Sequence, residues 1–383
     1  MTISVSGRID SGNAAQVESE ILSRLGDGAK DVVLDAEQLE YVSSAGLRVL
    51  LRLKKTFPDL RMVNVSSQIY EILEMTGFSE IIPTERALRF VSARGLEELG
   101  SGVHSIVYRL DDETILKVVK DMTLEAIRRE MQVSKTALIH GIPTAISYDV
   151  VRSEEGYGEV YEMFHAGVLS KALTAEPERR EEYLRRFVAM YRDIHSVDVT
   201  DSQLGSVRDR YLAAAEKLAA FASPEECALA RQMIEAIPER HTFLHGDFHM
   251  NNVMLQDGEL LLIDVGEAGY GHPLFDFAQT AWAYIAATGS TPERCRQITG
   301  TSMELACYIR DHLLSEYCGQ TGEALERKKT VVHAMAMLRM ILIRFLQGVT
   351  DQPDYPKRLE RARRELFPVI PQVCELIKRE FPE

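Results

Sequence analysis

The sequence predicts two different folds in one chain: an α/β domain over residues 1–84 and, after a short linker at 85–95, an α+β domain over residues 96–383. Segments with strand and helix patterns alternate in the first part. In the second part, a glycine-rich hairpin and further strands come before a long series of helical patterns. The second domain is therefore expected to have two lobes, a small strand-rich one at about 96–165 and a large helical one at about 166–383.

The composition restricts the classes of partner and compartment. A net charge of −14 disfavours nucleic acid, because binding a phosphate backbone requires clustered Lys and Arg. The five cysteines form no CxxC pair, which is typical of reduced thiols that are mostly buried. The start, MTISVSGRID, lacks the basic and apolar regions of a signal peptide, and no apolar run is long enough to span a membrane. We expect a cytoplasmic protein that binds neither nucleic acid nor membrane.

Strands and helices take turns in the first domain. Clustered or alternating β-branched residues predict strands, and apolar residues at helical spacing predict helices. The last helix, QIYEILEMTGF, is expected to end at Gly77, because glycine is a suitable C-terminal cap. The remaining predicted strands are ISVSGRID, KDVVLDAEQL and RMVNVS, and the remaining predicted helices are AAQVESEILSRL and GLRVLLRLKK.

The stretch LDAEQLEYVSSAGLRVLL combines with a turn expected at Ser6 to Asp10 and with the terminal MTGF. Together they resemble the STAS domain of bacterial anti-sigma factor antagonists over residues 1–84. In that family a serine at the start of this helix is reversibly phosphorylated, and Ser44 stands at the matching position, after Ser43. The resemblance implies that Ser44 is a candidate phosphoacceptor and that an anti-sigma factor or another signalling protein is a partner. The alternative is that the Ser44 hydroxyl only caps the helix.

The second domain opens with the run Gly100-Ser101-Gly102 ahead of a β-branched strand, and Lys117 lies on the next strand. Glycines allow backbone amides to approach phosphates closely, and an ammonium on a strand can pair with the α and β phosphates of ATP. On the following helix, both Glu125 and Glu130 could reach Lys117. Glu130 is preferred because it lies deeper among apolar residues.

The strand in EVYEMFHAG ends near Glu162 and Phe164. It is expected to form the connection between the lobes, where backbone groups hold adenine. We therefore count both residues among the candidates for nucleotide binding.

The segment HTFLHGDFHMNNVMLQDGELLLID places polar residues between two apolar strands. In-line phosphoryl transfer needs a carboxylate near the attacking hydroxyl and further oxygen ligands for magnesium. Asp247, Asn252 and Asp264 supply such groups. His245 and His249 have the spacing of a helical zinc pair, but the glycine between them and the flanking strands disfavour a helix. The alternative without a catalytic role is a polar loop that joins two buried strands.

Three motifs follow one another in this part of the chain: the HGDxxxxN loop, an ID motif and LFDFA. With them, residues 95–383 resemble the aminoglycoside phosphotransferase and choline kinase branch of the protein-kinase-like fold. The motifs are formed by His245, Gly246, Asp247 and Asn252, by Ile263 and Asp264, and by Leu274 to Ala278.

This resemblance implies a role for each residue. Asp247 would be the catalytic base, and Asn252 and Asp264 the magnesium ligands. His245 and Asp276 would support the catalytic loop. The resemblance also implies that Gly100, Gly102 and Lys117 contact the phosphates of ATP, and that the cofactors are ATP and Mg²⁺.

The sequence favours a small hydroxylated acceptor over a protein. Gly246 stands where protein kinases usually carry Arg, and the interval between Asp264 and Asp276 is too short for a peptide-docking segment. The principal hypothesis is thus an ATP- and magnesium-dependent phosphotransferase with a regulatory STAS module. The alternative is a signalling protein whose kinase-like domain phosphorylates Ser44 or a partner protein. A non-catalytic nucleotide-binding scaffold is disfavoured because the site retains Lys117 and Asp247 together with both magnesium ligands.

Overall fold

The structure is a computed structural model that describes residues 1–26, 28–101, 105–120, 122–200, 204–348 and 353–382. The chain divides into two compact units, and each has a hydrophobic core. Unit 1 comprises Met1–Ser92 and Val151–Glu154, and unit 2 comprises Ala93–Val150 and Glu155–Glu383.

Unit 1 consists of β1 (Thr2–Ile9), α1 (Ala14–Leu25), β2 (Val33–Val42), α2 (Ser44–Thr56), β3 (Arg61–Val65), α3 (Ser67–Met75), α4 (Phe78–Ile81) and β4 (Thr84–Arg86). Its four strands form one parallel sheet in the order β1-β2-β3-β4. Parallel neighbours require crossover connections, which the helices provide. Ile9 and Leu34 of the sheet and Leu50 and Leu53 of α2 are almost fully buried, so they form the centre of the core.

Helix α3 ends at Met75, and Gly77 follows in the left-handed conformation, with φ 72°, that ends a helix, so the expected glycine cap is confirmed. Two other details of unit 1 differ from the expectation. The predicted turn at Ser6 to Asp10 is wrong, because β1 runs on to Ile9 and accommodates Gly7 at φ +68° in an irregular stretch of the ladder. The strand β4 was not predicted, because the sequence TER has no apolar pattern that would indicate a strand.

The small lobe contains β5 (Glu98–Ser101), β6 (Ser105–Arg109), β7 (Thr114–Val119), α5 (Leu124–Ile139), β8 (Ser147–Ser153) and β9 (Gly156–Glu162), all of which belong to unit 2 except for the last three residues of β8. Its sheet has the order β5-β6-β7-β9-β8, and β7 pairs in antiparallel fashion with both β6 and β9. Leu116 and Val118 of β7 are buried and alternate with Lys117, whose side chain lies on the other face. The side chain of Thr123 caps α5.

The large lobe contains two small sheets among helices, in the orders β10-β12-β13 and β11-β14. Strands β12 and β13 are joined by a tight hairpin at Asp257 and Gly258, which both have positive φ. The elements are β10 (Gly167–Val168), α6 (Leu169–Ala175), α7 (Arg180–Ile194), α8 (Val207–Lys217), α9 (Pro224–Glu235), β11 (Thr242–Leu244), β12 (Val253–Gln256), β13 (Glu259–Leu262), β14 (Gly269–Gly271), α10 (Leu274–Thr288), α11 (Pro292–Thr299), α12 (Met303–Cys318), α13 (Gly322–Leu346), α14 (Tyr355–Glu365) and α15 (Ile370–Glu380).

The predicted fold class is confirmed: a parallel α/β unit is followed by a strand-rich antiparallel lobe and then by a helical lobe. All five cysteines are unpaired, but only Cys295 and Cys374 are buried, so the expectation of mostly buried thiols is wrong. Among the described helices, none combines the length and the apolar character that a membrane crossing demands.

Candidate active site

The loop after β11 is anchored to α10 by a buried carboxylate. Asp276, in the first turn of α10, accepts hydrogen bonds from the backbone N–H groups of His245 and Gly246, both at 2.8 Å. It also lies 3.2 Å from Nε2 of His195. Burial alone would raise the pKa of Asp276, but these interactions lower it, so the group stays ionised. The start of the loop is thereby fixed to a helix that lies about 30 residues further along the chain.

His245 lies wholly inside the protein and shapes the same loop. Its Nδ1 accepts a hydrogen bond from the backbone N–H of Asp247 at 3.2 Å, which requires that this nitrogen carries no proton. Burial lowers the pKa of His245, although the nearby Asp276 raises it, so the ring is neutral. A neutral His245 orients the backbone of the loop and is too enclosed to exchange protons with a substrate.

Gly246 is required by a close approach of two segments. It has φ +83°, and a Cβ at this position would lie only 2.5 Å from the backbone oxygen of Glu267. No larger side chain fits without moving one of the segments. The absence of an arginine here, which favoured a small acceptor, thus has a steric cause in this chain.

The carboxylate of Asp247 is oriented by three side chains. Its Oδ1 accepts a hydrogen bond from Nε2 of Gln279 at 2.5 Å, and its Oδ2 accepts one from Nδ2 of Asn252 at 3.2 Å. Nε2 of His249 lies 3.5 Å from the same Oδ2. Burial would raise the pKa of Asp247, but the contacts with His249 and the proximity of His245 lower it well below the usual range. Asp247 is therefore a fixed, ionised carboxylate.

The hairpin of β12 and β13 brings Asn252 and Asp264 to the same end. Val253 pairs with Leu262 in the ladder, and the backbone N–H of Ile263 donates to the backbone oxygen of Asn252 at 3.0 Å. Asp264 follows directly in a left-handed conformation, with φ 61° and ψ 50°. This conformation is uncommon for residues other than glycine, and aspartate adopts it more readily than most.

Lys117 connects the two lobes. Its Nζ lies 2.7 Å from Oε1 of Glu130 and 2.8 Å from Oδ1 of Asp264. Burial would lower the pKa of Lys117, but the two carboxylates raise it, so the ammonium group is retained. A Cβ on Gly266 would lie 2.5 Å from Cγ of Glu130, so glycine at this position lets α5 come close. Glu125, the other sequence candidate, takes no part in this ion pair.

The predicted nucleotide residues lie on either side of this group. Gly100 and Ser101 form the exposed end of β5, whereas Gly102 lies outside the described residues. Glu162 ends β9, and its Oε2 accepts a hydrogen bond from the backbone N–H of Ile146 at 3.2 Å. Phe164 is half-buried in the segment that leads to the large lobe.

Sequence reasoning missed Gln279 and the polar contacts of His195. Gln279 lies one helical turn after Asp276 on α10, and its position in the apolar run LFDFAQTAW was a signal that it faces a polar site. His195 is the C-terminal cap of α7 and packs against the ring of Tyr191. It also lies 3.2 Å from the carboxylate of Asp276 and 3.0 Å from the hydroxyl of Tyr317.

The residues fit a magnesium ion by the chemistry of their donors. Asn252 uses its amide nitrogen towards Asp247, so its Oδ1 is left to serve as a ligand. Asp264 engages one carboxylate oxygen with Lys117 and is half-exposed. Carboxylate and amide oxygens are the ligands that Mg²⁺ prefers in proteins. Within the described ranges there is no cluster of three or more His, Cys, Asp or Glu, the arrangement that a closed metal site would show.

A second candidate site, the serine pair Ser43 and Ser44, lies at the start of α2 in unit 1. The side chain of Ser43, not that of Ser44, accepts hydrogen bonds from the backbone N–H groups of Ala45 and Gly46, at 3.2 and 3.4 Å. The interpretation of Ser44 as the cap is therefore wrong. Ser44 is exposed, and its hydroxyl forms no hydrogen bond with any residue that the structure describes.

Comparisons with known proteins agree with this division. Residues 95–302, more than half of the chain, match the model of the phosphotransferase enzyme family (APH), and residues 1–90 match that of the STAS domain. BtrV of Bordetella bronchiseptica, an inferred anti-sigma factor antagonist, is 34% identical over 91 residues, which are 23% of this chain and 78% of that protein.

Solved structures of the kinase type are more distant. A choline/ethanolamine kinase family protein from Mesorhizobium loti is 15% identical with a TM-score of 0.48, and covers 75% of this chain and 93% of its own. The gentamicin complex of APH(2'')-IIa is 16% identical with a TM-score of 0.49, and covers 81% of this chain and 99% of its own. Neither likeness identifies an acceptor for this chain.

The fold and the matched models define the class: a STAS domain fused to a kinase-like phosphotransferase domain. The chain belongs to the phosphotransferase enzyme family through residues 95–302, and its first ninety residues are a STAS domain of the anti-sigma factor antagonist type.

Proposed function

We propose that unit 2 transfers the γ-phosphoryl group of ATP to a hydroxyl group of a small molecule, with magnesium as cofactor. Two observations carry this proposal: Lys117 pairs with both Glu130 and Asp264, and the carboxylate of Asp247 is fixed and ionised. Such a group combines an ammonium for phosphates with the oxygen donors for a metal.

Each residue has a chemical task in this proposal. The Asp247 carboxylate accepts the proton of the acceptor hydroxyl while the hydroxyl oxygen bonds to the γ-phosphorus and the bond from that phosphorus to ADP breaks. Asn252 and Asp264 hold the magnesium ion, which offsets phosphate charge when it is bound. Lys117 pairs with phosphate oxygens, and Glu130 orients Lys117.

The remaining nucleotide contacts come from the small lobe. Gly100, Ser101 and Gly102 lie near the phosphates in this proposal, and the segment from Glu162 to Phe164 holds the adenine. Lys117 links these contacts to the large lobe through its ion pair with Asp264. The five unpaired cysteines support work in a reducing compartment, which is the cytoplasm.

A small acceptor is favoured by the short segment between the magnesium residue and α10. After Asp264 the chain forms one tight turn and β14, and α10 begins at Leu274. Asp276 on that helix is already committed to the catalytic loop. This arrangement leaves little chain with which to dock an extended peptide.

Replacement of Asp247 tests the proposal. We expect Asp247→Ala to lower kcat by roughly 10²- to 10⁴-fold, because a positioned base contributes about that much. ADP release would be measured with purified full-length protein, alone and with amino alcohols, sugars, aminoglycosides and hydroxy acids. The matched control is Asp112→Ala, which removes an exposed aspartate of unit 2 and should keep the wild-type rate. Unchanged turnover in a folded Asp247→Ala protein would refute the assignment.

A second candidate function is signalling, in which unit 2 phosphorylates Ser44 or a partner protein. Two observations favour it: the Ser44 hydroxyl is exposed at the start of α2, and the STAS domain is similar to that of an inferred anti-sigma factor antagonist. In either case we propose that unit 1 regulates the enzyme or binds a signalling protein.

A further inference from the structure

A small pocket lies directly beside the catalytic loop and is lined by two arginines. Its cavity volume is about 30 Å³. A cavity of about 10–15 Å³ already holds a water molecule, so the pocket has room for a small functional group of a ligand. Its polar lining includes Arg210 and Tyr211 of α8, Gly246 and Glu267 of the loops, Asp276 and Gln279 of α10, and Arg339 of α13.

Arg339 is a buried cation without a carboxylate partner in the described part of the chain. Its side chain is in the apolar middle of α13, and the residue is only 8% exposed. Nη1 donates to the hydroxyl of Tyr211 at 3.1 Å, whereas the buried Nε has no partner among the described residues. An uncompensated buried charge is costly, so a position like this is favourable only if something else supplies an acceptor.

Arg210 adds a second positive charge to the pocket. Its Nη2 donates to the backbone oxygen of Glu267 at 3.0 Å, and its Nη1 lies 3.5 Å from the carboxylate of the same residue. Burial and the proximity of Arg129 and Arg339 lower the pKa of Arg210, while Glu267 raises it. Arginine stays protonated under such conditions. Three cations thus lie close together, and Glu267 is largely exposed to solvent.

Asp276 lines the pocket and Asp247 is bonded to the lining residue Gln279, and both carboxylates are already engaged. Asp276 accepts the loop amides, and Asp247 is bonded by Gln279 and Asn252. Oε1 of Gln279 is buried and has no hydrogen-bond partner within the described ranges. The pocket therefore contains an arginine donor, Nε of Arg339, and an acceptor, Oε1 of Gln279, that have no partner among the described residues. The same Gln279 side chain bonds the carboxylate of Asp247.

We propose that the acceptor of the phosphoryl group is an anionic alcohol, whose carboxylate or phosphate is bound by Arg339 and Arg210. This inference rests on the proposed function. The hydroxyl group of the same molecule reaches Asp247, and the arginines supply the charge-assisted hydrogen bonds that fork-shaped guanidinium groups form with such anions. The negative net charge of the whole chain does not oppose this, because the local charge around the pocket decides which ligand enters.

A matched series of three-carbon alcohols tests the proposal with the full-length protein, ATP and magnesium. The series is 3-amino-1,2-propanediol, glycerol, glycerate and glycerol 3-phosphate, and the readout is kcat/KM from ADP release. We expect at least one anion to exceed glycerol tenfold or more and the amine to be no better than glycerol. Glycerate and glycerol 3-phosphate separate a carboxylate from a phosphate preference. Preference for the amine or glycerol, or no stimulation by either anion, would overturn the inference.

Variants of the two arginines show whether the pocket causes the preference. Arg339→Gln and Arg210→Gln should each raise KM for the preferred anion tenfold or more and leave KM for ATP unchanged. Arg208→Gln is the matched control, because Arg208 lies on the same helix but pairs with Glu239, and it should behave like wild type. If Arg339→Gln unfolds at the assay temperature, Arg339→Lys keeps the charge without the fork and should show an intermediate KM. Wild-type KM values in folded arginine variants would contradict the inference.

The two proposals can fail separately. ADP release that rises with glycerol or the amine and disappears in Asp247→Ala supports phosphotransfer to an alcohol, even when the anion preference is absent. Loss of the difference between wild type and Asp247→Ala, with every alcohol of the series, would remove both.

Discussion

At the scale of single residues, Glu159 is a buried carboxyl group close to Lys117 in the sheet, in addition to the ion-pair partner Glu130. It lies opposite Lys117 in the ladder of β7 and β9 and is 1% exposed. Its Oε1 accepts a hydrogen bond from Oγ of Ser147 at 2.5 Å. Burial raises the pKa of Glu159 to about 7; the nearby Glu130 raises it too, while Ser147, Tyr161 and Lys117 lower it. At acidic pH the group is therefore neutral in the folded protein.

This residue predicts a pH dependence of stability. A carboxyl group with a raised pKa binds a proton in the folded state that the unfolded state releases, so stability falls as the pH rises from about 4.5 to about 7. The full effect is on the order of 3 kcal/mol, from a shift of a few pH units. We expect Glu159→Gln to lose this dependence, so that its Tm relative to wild type increases between pH 5 and pH 8.

The control for this measurement is Glu98→Gln, which changes an exposed glutamate in the same sheet and should follow the wild-type curve. Parallel curves for Glu159→Gln and wild type across this pH range would contradict the raised pKa.

At the scale of elements, the start of α2 depends on which of two adjacent serines caps it. Ser43 has the extended conformation of a cap residue, at φ −89° and ψ 177°, and its oxygen faces the first amides of the helix. Ser44 is the first helical residue and points away. Gly46 then lets the helix pass close to β1, because a Cβ there would lie 2.8 Å from the backbone oxygen of Ile9. The cap and the glycine together place the Ser44 hydroxyl on the surface.

The two serines form a matched pair for a stability experiment. Ser43→Ala should lower the free energy of unfolding by about 0.5–2 kcal/mol, because two backbone donors lose their partner. Ser44→Ala should stay within about 0.5 kcal/mol of wild type, as is usual for exposed positions. Urea unfolding followed by circular dichroism measures both. A larger loss for Ser44→Ala than for Ser43→Ala would show that the cap is assigned to the wrong residue.

Some residues of the active site could be predicted from local sequence patterns, and others could not. The HGDxxxxN loop, the ID motif and Lys117 lie in short segments whose strand patterns flank them, so their grouping was predictable. The choice of Glu130 over Glu125 depended on the apolar residues around it, a local signal. Gln279 and Arg339 stand out as polar residues in the apolar runs of α10 and α13, but local patterns do not reveal which residues from other parts of the chain they meet.

At the scale of the whole molecule, the presence of a STAS domain and a kinase-like domain in one chain raises the question of self-phosphorylation. We expect no phosphate on the full-length protein after incubation with ATP and magnesium, since the principal proposal is a small acceptor. Intact-mass measurement decides this. One added phosphate that vanishes in both Ser44→Ala and Asp247→Ala, but persists in Ser43→Ala, would instead establish the signalling function.

The sequence by itself determined the two folds, their order, and the identities of the residues that form the phosphotransferase motifs, because these depend on patterns within short segments. Only the tertiary structure decided that Ser43 and not Ser44 is the cap, that Gln279 orients Asp247, and that the buried Arg339 and the half-buried Arg210 line a pocket beside the catalytic loop. Such contacts join residues far apart in the chain, and their geometry depends on how helices pack. The charge that an acceptor meets is therefore a property of the folded lobe, and the composition of the chain does not reveal it.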